Sequence, residues 1–253
     1  YNGCQSTVTA STRMSDEYLF ISDCHLDPSR PEVTAMLVNF LNTRAVTARY
    51  LFILGDLFEV WMGDDDPAPE HQHVIRLLRQ LGQTTDLFFI AGNRDFLLGN
   101  DFAETNNITL LAEPHLLLLD KTRVVLVHGD ILCTDDHDYQ AFRALVRRPE
   151  WQADFLAKPL SQRQQMAAQM RTYSIEAMAQ KSMQIMDVNL TAVQDCFRDN
   201  EASTIIHGHT HRPAVHACGS DLRRIVLGDW DREPSYLSWT REQGFKLHDP
   251  RIT

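Results

Sequence analysis

The sequence predicts an α/β fold with a helical insertion. Three observations carry this: short apolar runs that each end in turn-forming polar residues, helical periodicity between them, and a later stretch that is helical throughout. The first run, YLFI at 18 to 21, ends in Ser22-Asp23, and the second, YLFIL at 50 to 54, in Gly55-Asp56. LFFIA at 87 to 91 ends in Gly92-Asn93, and VVLV at 124 to 127 in His128-Gly129. Such runs read as buried strands with loops at their carboxyl ends. Between the first three, Val33 to Thr43 and Val74 to Gln80 repeat apolar residues at helical spacing, so strand and helix alternate. Ligands in such sheets bind where the strand-end loops gather.

From Asp138 to Arg198 the pattern is helical without a convincing strand, interrupted at Pro149 and Pro159 and divided again near Asp187. Residues 138–198 are therefore expected as a cap inserted into a core of 14–137 and 199–253. After it, STII leads into His207-Gly208-His209-Thr210-His211, and RRIVLGDW, SYLSWT and FKLHD read as closing strands. Residues 1–13 are polar, without a charged start and an apolar stretch, and are read as an expression scar or upstream extension before a native start at Met14.

With 43% apolar and 23% charged residues over 253 positions, the chain has the composition of a soluble globular protein. No run approaches the roughly 18 apolar residues of a spanning helix. The net charge of −10 disfavours long-range attraction to nucleic acid, which is not expected as a partner, and no protein partner is evident. The insertion differs: residues 141–198 carry eight Lys or Arg against five Asp or Glu, a mildly basic cap on an acidic core. Five scattered cysteines without a CxxC pair argue against a disulfide framework or thiolate zinc site and fit a reducing cytoplasm.

The chemistry lies in five loops: Asp23-Cys24-His25, Gly55-Asp56, Gly92-Asn93-Arg94-Asp95, His128-Gly129-Asp130 and Gly208-His209-Thr210-His211. Oxygen and imidazole donors without thiolate suit Mn²⁺, Fe²⁺, Mg²⁺ or Zn²⁺. Alternation along an extended loop brings Asp23 with His25, and His209 with His211, to common centres. These are too many ligands for one ion, and a carboxylate such as Asp56 can bridge two. Each motif alone is more often a plain turn; their joint order after five strands is what carries the signal.

DxH, GD, GN, HGD and GHTH, in that order over residues 23 to 211, resemble the calcineurin-like metallophosphoesterases. A narrower resemblance, covering nearly all of residues 17 to 230, is to the UDP-2,3-diacylglucosamine hydrolases (pyrophosphatases) of lipid A biosynthesis. It rests on YLFILGDLFEVWMGDDD, GNRDFLLG, HGDILCTDD with Tyr139-Gln140-Ala141-Phe142-Arg143, KSMQIMDVN, IHGHTHRPAVH and RRIVLGDW.

The resemblance implies a β-sandwich flanked by helices with a helical cap. It implies cleavage of UDP-2,3-diacylglucosamine to UMP and 2,3-diacylglucosamine 1-phosphate, with two divalent ions, most often Mn²⁺. It further implies a cytoplasmic enzyme peripherally attached to the inner membrane surface. Asp23, His25, Asp56 and His211 would hold one ion, and Asp56, Asn93, His128 and His209 the other. Asn93, Arg94, Asp136, Tyr139, Arg171, Ser174, Met178, Lys181 and His209 would line the substrate, with Asn93, Arg94 and His209 acting in catalysis. Cys24 stands where the family has leucine, and reads as a small hydrophobe turned into the sheet. Met178 stands where a polar residue is common.

Arg94 is informative on chemical grounds. Arginine is a poor proton donor, so the leaving group should need no proton, as holds for a sugar phosphate expelled from a pyrophosphate. The plainer reading is a salt bridge to Asp95 or another carboxylate. Arg171, Ser174, Met178 and Lys181, at i, i+3, i+7 and i+10, share one helix face that either grips phosphate or sugar or is simply solvated. Phe155, Leu156, Leu160, Met166 and Met170 read as bundle core or as the wall of an acyl groove. Asp64 to Asp66 read as a solvated turn shaping the metal loop from outside it. Asp130, Asp135 and Asp136 read as groups that orient histidines or substrate. His71, His73, His115, His137, His216 and His248 read as surface or partly buried, and His207 as a strand end.

Two other functions are compatible with the same motifs. A soluble nucleotide phosphodiesterase or phosphoprotein phosphatase on the same core would turn over bis(p-nitrophenyl) phosphate and fail on the lipid nucleotide. A lipid- or nucleotide-binding module with structural metals would bind without turnover.

Overall fold

Burial on both faces of each central strand builds three layers of core. The computed structural model describes residues 15–179 and 187–252, with side chains for 16–171 and 187–252. In β1 (Ser15–Ile21), Leu19 and Ile21 face one way and Phe20 the other. The chain crosses over through α1 (Pro31–Thr43), started by a proline in its first turn, to β2 (Ala48–Ile53), where Leu51 and Ile53 oppose Phe52. A second crossover, α2 (Gln72–Leu81), leads to β3 (Asp86–Phe89), and the short α3 (Asn100–Thr105) to β4 (Ile108–Leu110). These four strands are parallel. Leu19, Ile21, Leu51 and Ile53 bury against α1 and α2, whose Val33, Leu37, Val74 and Leu78 join the same cluster.

The second sheet begins with the hairpin of β5 (His115–Leu119) and β6 (Thr122–Leu126). The chain then leaves it for α4 (His137–Val146), α5 (Pro149–Leu156), α6 (Leu160–Ala179) and α7 (Leu190–Asp199). It returns through β7 (Thr204–His207), β8 (Ala214–Ala217) and β9 (Arg223–Val226), giving the order β5-β6-β7-β9-β8. The closing hairpin, β10 (Tyr236–Thr240) and β11 (Gly244–His248), adds antiparallel to β1, so the first sheet runs β11-β10-β1-β2-β3-β4. Phe20, Phe52 and Ile90 meet Val124, Leu126, Ile206 and Ile225 between the sheets. Val125 and Ile205, on the opposite face of the second sheet, are covered by Val193 and Phe197 of α7. The expected β-sandwich flanked by helices is the observed one.

The elements missing from the sequence reading are short. α3, β4, β5 and β8 have three to six residues each, too few to display a period. RRIVLGDW is strand only as far as Val226; Leu227 donates its amide to the His207 carbonyl at 2.7 Å, and the chain turns towards the strand-end loops. Asn189 caps α7 by accepting from the Thr191 and Ala192 amides at 2.8 and 3.0 Å. Its own amide group donates to Asp135, so that carboxylate secures α7 and does not orient a histidine. Among the described residues no helix is long and apolar enough to cross a membrane.

Leu126→Ala, at the fully buried inter-sheet core, should lower the unfolding free energy by about 2–5 kcal/mol in urea denaturation. Leu118→Thr, at a site 63% exposed on β5, should change it by no more than about 0.5 kcal/mol.

Candidate metal centre

Each of the five loops leaves a strand or its immediate extension at the same end of the sandwich, and backbone pairing holds them side by side. The Asp23 amide donates to the Gly55 carbonyl at 3.1 Å, His25 to Asp56 at 2.9 Å and Leu26 to Leu57 at 3.0 Å. Asp23, His25, Asp56, His209 and His211 all have φ between 47° and 66°, the left-handed region that non-glycine residues seldom adopt. At Gly92 a Cβ would come within 2.1 Å of Asp56 Oδ1, and at Gly208 within 2.1 Å of Asp23 Oδ2. Glycine there lets backbone approach carboxylate.

Two groups of donor atoms result. In the first, His25 Nε2 and His211 Nε2 are 3.2 Å apart, and Asp23 Oδ1 lies 3.3 Å from His211 Nε2. That oxygen is buried without a hydrogen-bond partner among the described residues. In the second, Asn93 Oδ1 is 2.9 Å from both His128 Nε2 and His209 Nδ1. Asp56 joins the two: its Oδ2 is 3.7 Å from His25 Nε2 and 3.7 Å from His128 Nε2, while its Oδ1 accepts the Arg94 amide at 2.8 Å. Asp23, Asp56 and His128 also converge within reach of a common centre.

The supporting contacts suit divalent ions. His25 donates Nδ1–H to Glu59 at 2.8 Å and His128 donates Nδ1–H to the Leu54 carbonyl at 2.9 Å, so each turns its Nε2 into the site. Electrostatics agree. Burial would lower both imidazoles, yet the carboxylates around them push His25 up to about 10 and His128 up to about 9. Burial and the neighbouring His128 push His209 down to about 4. For Asp23, burial is outweighed by His211 and His25, which hold the carboxyl well below its usual range. Carboxylates therefore crowd the imidazoles of the site, a setting that attracts cations.

Above the two groups lies a cavity of about 700 Å³, lined by His25, Asp56, Asn93, Arg94, Asp136, Tyr139, Arg171, His209 and His211 on its polar side. Trp61, Phe96, Phe142, Trp151, Phe155 and Met170 form its apolar side. Phe155, Leu160 and Met166 also pack on the helix-side core, whereas Leu156 is 39% exposed. Tyr139 presents its ring, stacked 6.0 Å from His209, because its hydroxyl donates to Asp130 at 2.6 Å. Asp136 caps α4 at the Tyr139 amide. Asp23 and His128 lie fully buried beneath the cavity. Ser174 and Met178 fall on α6 where side chains are not described, and Lys181 lies outside the described residues.

Several contacts differ from expectation or were not foreseen. Arg94 faces Glu59 at 3.9 Å, the other carboxylate that the plainer reading allowed, and not Asp95, which accepts from the amides of Asp56, Leu57, Phe58 and Gly92 at 2.8–3.4 Å. Burial and the adjacent Asp56 push Asp95 up to about 6. Asp64 accepts from the Trp61 indole and from the Gly99 and Phe102 amides, and Asp65 pairs with the buried Arg163 of α6, so that turn, solvated at Asp65 as expected, is also a joint. Cys24, by contrast, is the buried small hydrophobe expected: it lies fully buried in the helix-side core, and burial raises its thiol well above the usual range. Glu113 accepts from the His128 amide at 2.6 Å and from Arg143 at 2.8 Å. Asp95 adjoins a motif and could have been suspected from the amides it must satisfy; Glu113 meets His128 only through space.

The family model of calcineurin-like phosphoesterases matches residues 17–213. UDP-2,3-diacylglucosamine hydrolase of Sodalis glossinidius is 47% identical over 91% of this chain and 97% of its own. The protein of the same name from Aromatoleum aromaticum is 48% identical over 87% of this chain and 92% of its own. That of Escherichia coli is 46% identical over 92% and 98%.

Gly92→Ala should displace Asp56 and lower affinity for divalent ions by about 10–100-fold in calorimetric titration while the circular dichroism spectrum is retained. Unchanged affinity would mean that Asp56 holds no ion.

Proposed function

Since the chain belongs to the calcineurin-like phosphoesterases and, within them, to the UDP-2,3-diacylglucosamine hydrolases, we infer that it is a pyrophosphatase acting on UDP-2,3-diacylglucosamine. Its products are UMP and 2,3-diacylglucosamine 1-phosphate. The observation that carries this reading is the cavity itself. A polar floor of two donor groups sharing Asp56 adjoins an apolar wall, matching a substrate that joins a pyrophosphate to two acyl chains.

In this reading Asp23, His25, Asp56 and His211 would hold one divalent ion, and Asp56, Asn93, His128 and His209 the other, with Mn²⁺ favoured by hard and borderline donors. When bound, such ions supply water activation and neutralisation of phosphoryl charge. The chain's own groups do the rest. Arg94 and Arg171 stand at the polar side of the cavity, where guanidinium hydrogen bonds bind phosphate oxygens. Neither arginine serves well as a proton donor. Attack at either phosphorus expels a phosphate that is stable as an anion, and the resemblance to the UDP-2,3-diacylglucosamine hydrolases selects the α-phosphorus.

The aromatic and Met side chains of the apolar wall receive acyl chain. Asp136 and the ring of Tyr139 border the sugar and phosphates, and the resemblance assigns Ser174, Met178 and Lys181 to the same substrate. Residues 138–198 serve as the cap, with α4 to α6 bordering the cavity. Phe142, Leu145 and Leu156, 40%, 45% and 39% exposed on α4 and α5, support peripheral attachment to the cytoplasmic face of the inner membrane. No observation favours a soluble phosphodiesterase or a non-catalytic binding module.

Mass spectrometry of UDP-2,3-diacylglucosamine incubated with the protein should give UMP and the lipid monophosphate. Chelation should stop the reaction and Mn²⁺ restore it best; full turnover by metal-free protein would refute the metal assignment. In ¹⁸O-water the label should enter UMP, and label in the lipid phosphate would instead locate attack at the β-phosphorus.

A further inference from the structure

Glu59 follows the Gly55-Asp56 loop by three residues and belongs to none of the five motifs. Its side chain is 14% exposed, and its two oxygens serve different parts of the molecule. Oε2 accepts from His25 Nδ1 at 2.8 Å, on the metal side. Oε1 lies 3.0 Å from Arg171 Nη2 and 3.9 Å from Arg94 Nη1, on the substrate side. Arg94 comes from the loop after β3 and Arg171 from α6, so one carboxylate joins a candidate ion ligand, a core arginine and a cap arginine. The first turns of α6 are held separately, by Arg163, which is buried and bonded to Asp65 and the Met62 carbonyl.

We propose that Glu59 is a positioning residue that draws Arg171 of the cap and Arg94 of the core together so that both present to the phosphate groups of the substrate. The proposal rests on the pyrophosphatase reading and deepens it. A guanidinium has five donors in a fixed fork, so an ion pair with Glu59 on one edge orients each arginine and leaves its remaining donors free for phosphate. Ordering two long side chains before substrate arrives lowers the entropy lost on binding. Because the carboxylate also supports His25, a change to alanine confounds both roles. Glutamine separates them: its carbonyl oxygen still accepts from His25, while its amide offers the arginines a donor in place of an anion.

The experiment compares wild type, Glu59→Gln, Arg171→Ala and the double variant. Mn²⁺ affinity by calorimetry should stay within about threefold in Glu59→Gln, whereas KM for UDP-2,3-diacylglucosamine should rise about tenfold with a smaller change in kcat. The double variant should be no worse than about twofold beyond the weaker single one, since both remove one interaction. Unchanged KM in Glu59→Gln, multiplied effects in the double variant, or lost Mn²⁺ affinity with unaltered KM would each overturn the proposal. Hydrogen exchange gives a readout that needs no substrate: Glu59→Gln and Arg171→Ala should each raise exchange in α6, and unchanged exchange would likewise overturn it. Failure of the wild type to cleave the lipid nucleotide would instead refute the pyrophosphatase reading, and the exchange data would then decide alone whether Glu59 holds α6.

Discussion

The carboxylate of Asp95 ties the two central loops together, and the arrangement around it depends on that tie. It accepts amides from Asp56, Leu57 and Phe58 in the loop after β2, and from Gly92 in the loop after β3. Buried amides must find acceptors, and here one side chain satisfies four. With both loops fixed, Asp56 directs Oδ1 to the Arg94 amide and leaves Oδ2 between His25 and His128. Asn93, Arg94 and Asp56 therefore take their positions from a residue that does not itself face the cavity.

Around this tie the backbone is held in conformations it would not adopt freely. Five residues of the donor groups are left-handed, at about 1–3 kcal/mol each for such strain. Hydrogen bonding between the β1 and β2 loops holds Asp23, His25 and Asp56, and the His209 amide donates to Asp23 at 2.9 Å. Further polar contacts brace the strand-end loops after β3 and β6. Arg143 of α4 pairs with Asp130 and Glu113, Glu113 holds the His128 amide, and Arg147 donates to the Ala91 and Gly92 carbonyls. Helix α4 is thus both the start of the cap and part of the site's frame.

Helices α5 and α6 are attached by different means. Trp151 and Phe155 of α5 stack at 5.1 Å beside Phe96, and Arg163 anchors α6 to the Asp65 turn. Apolar packing and a buried guanidinium hold the cap where the aromatic wall of the cavity faces the polar floor. Function and cohesion share the same side chains there.

How much was legible in the sequence follows from the range of each interaction. Strands β1, β2, β3 and β6 announce themselves as apolar runs, and their loops carry the donor residues as contiguous motifs, so sequence alone determined the α/β class, the five loops and the metal-binding chemistry. These are local properties, written within a few residues. The short α3, β4, β5 and β8 carried no period, and the Asp64-Asp65 turn read as solvated because its partners Gly99, Phe102 and Arg163 are distant in sequence. The roles of Glu59, Asp95 and Glu113 were likewise decided only by the tertiary structure. Each acts by accepting hydrogen bonds across loops, and a carboxylate's acceptor geometry acquires meaning only once packing has brought its donors to it.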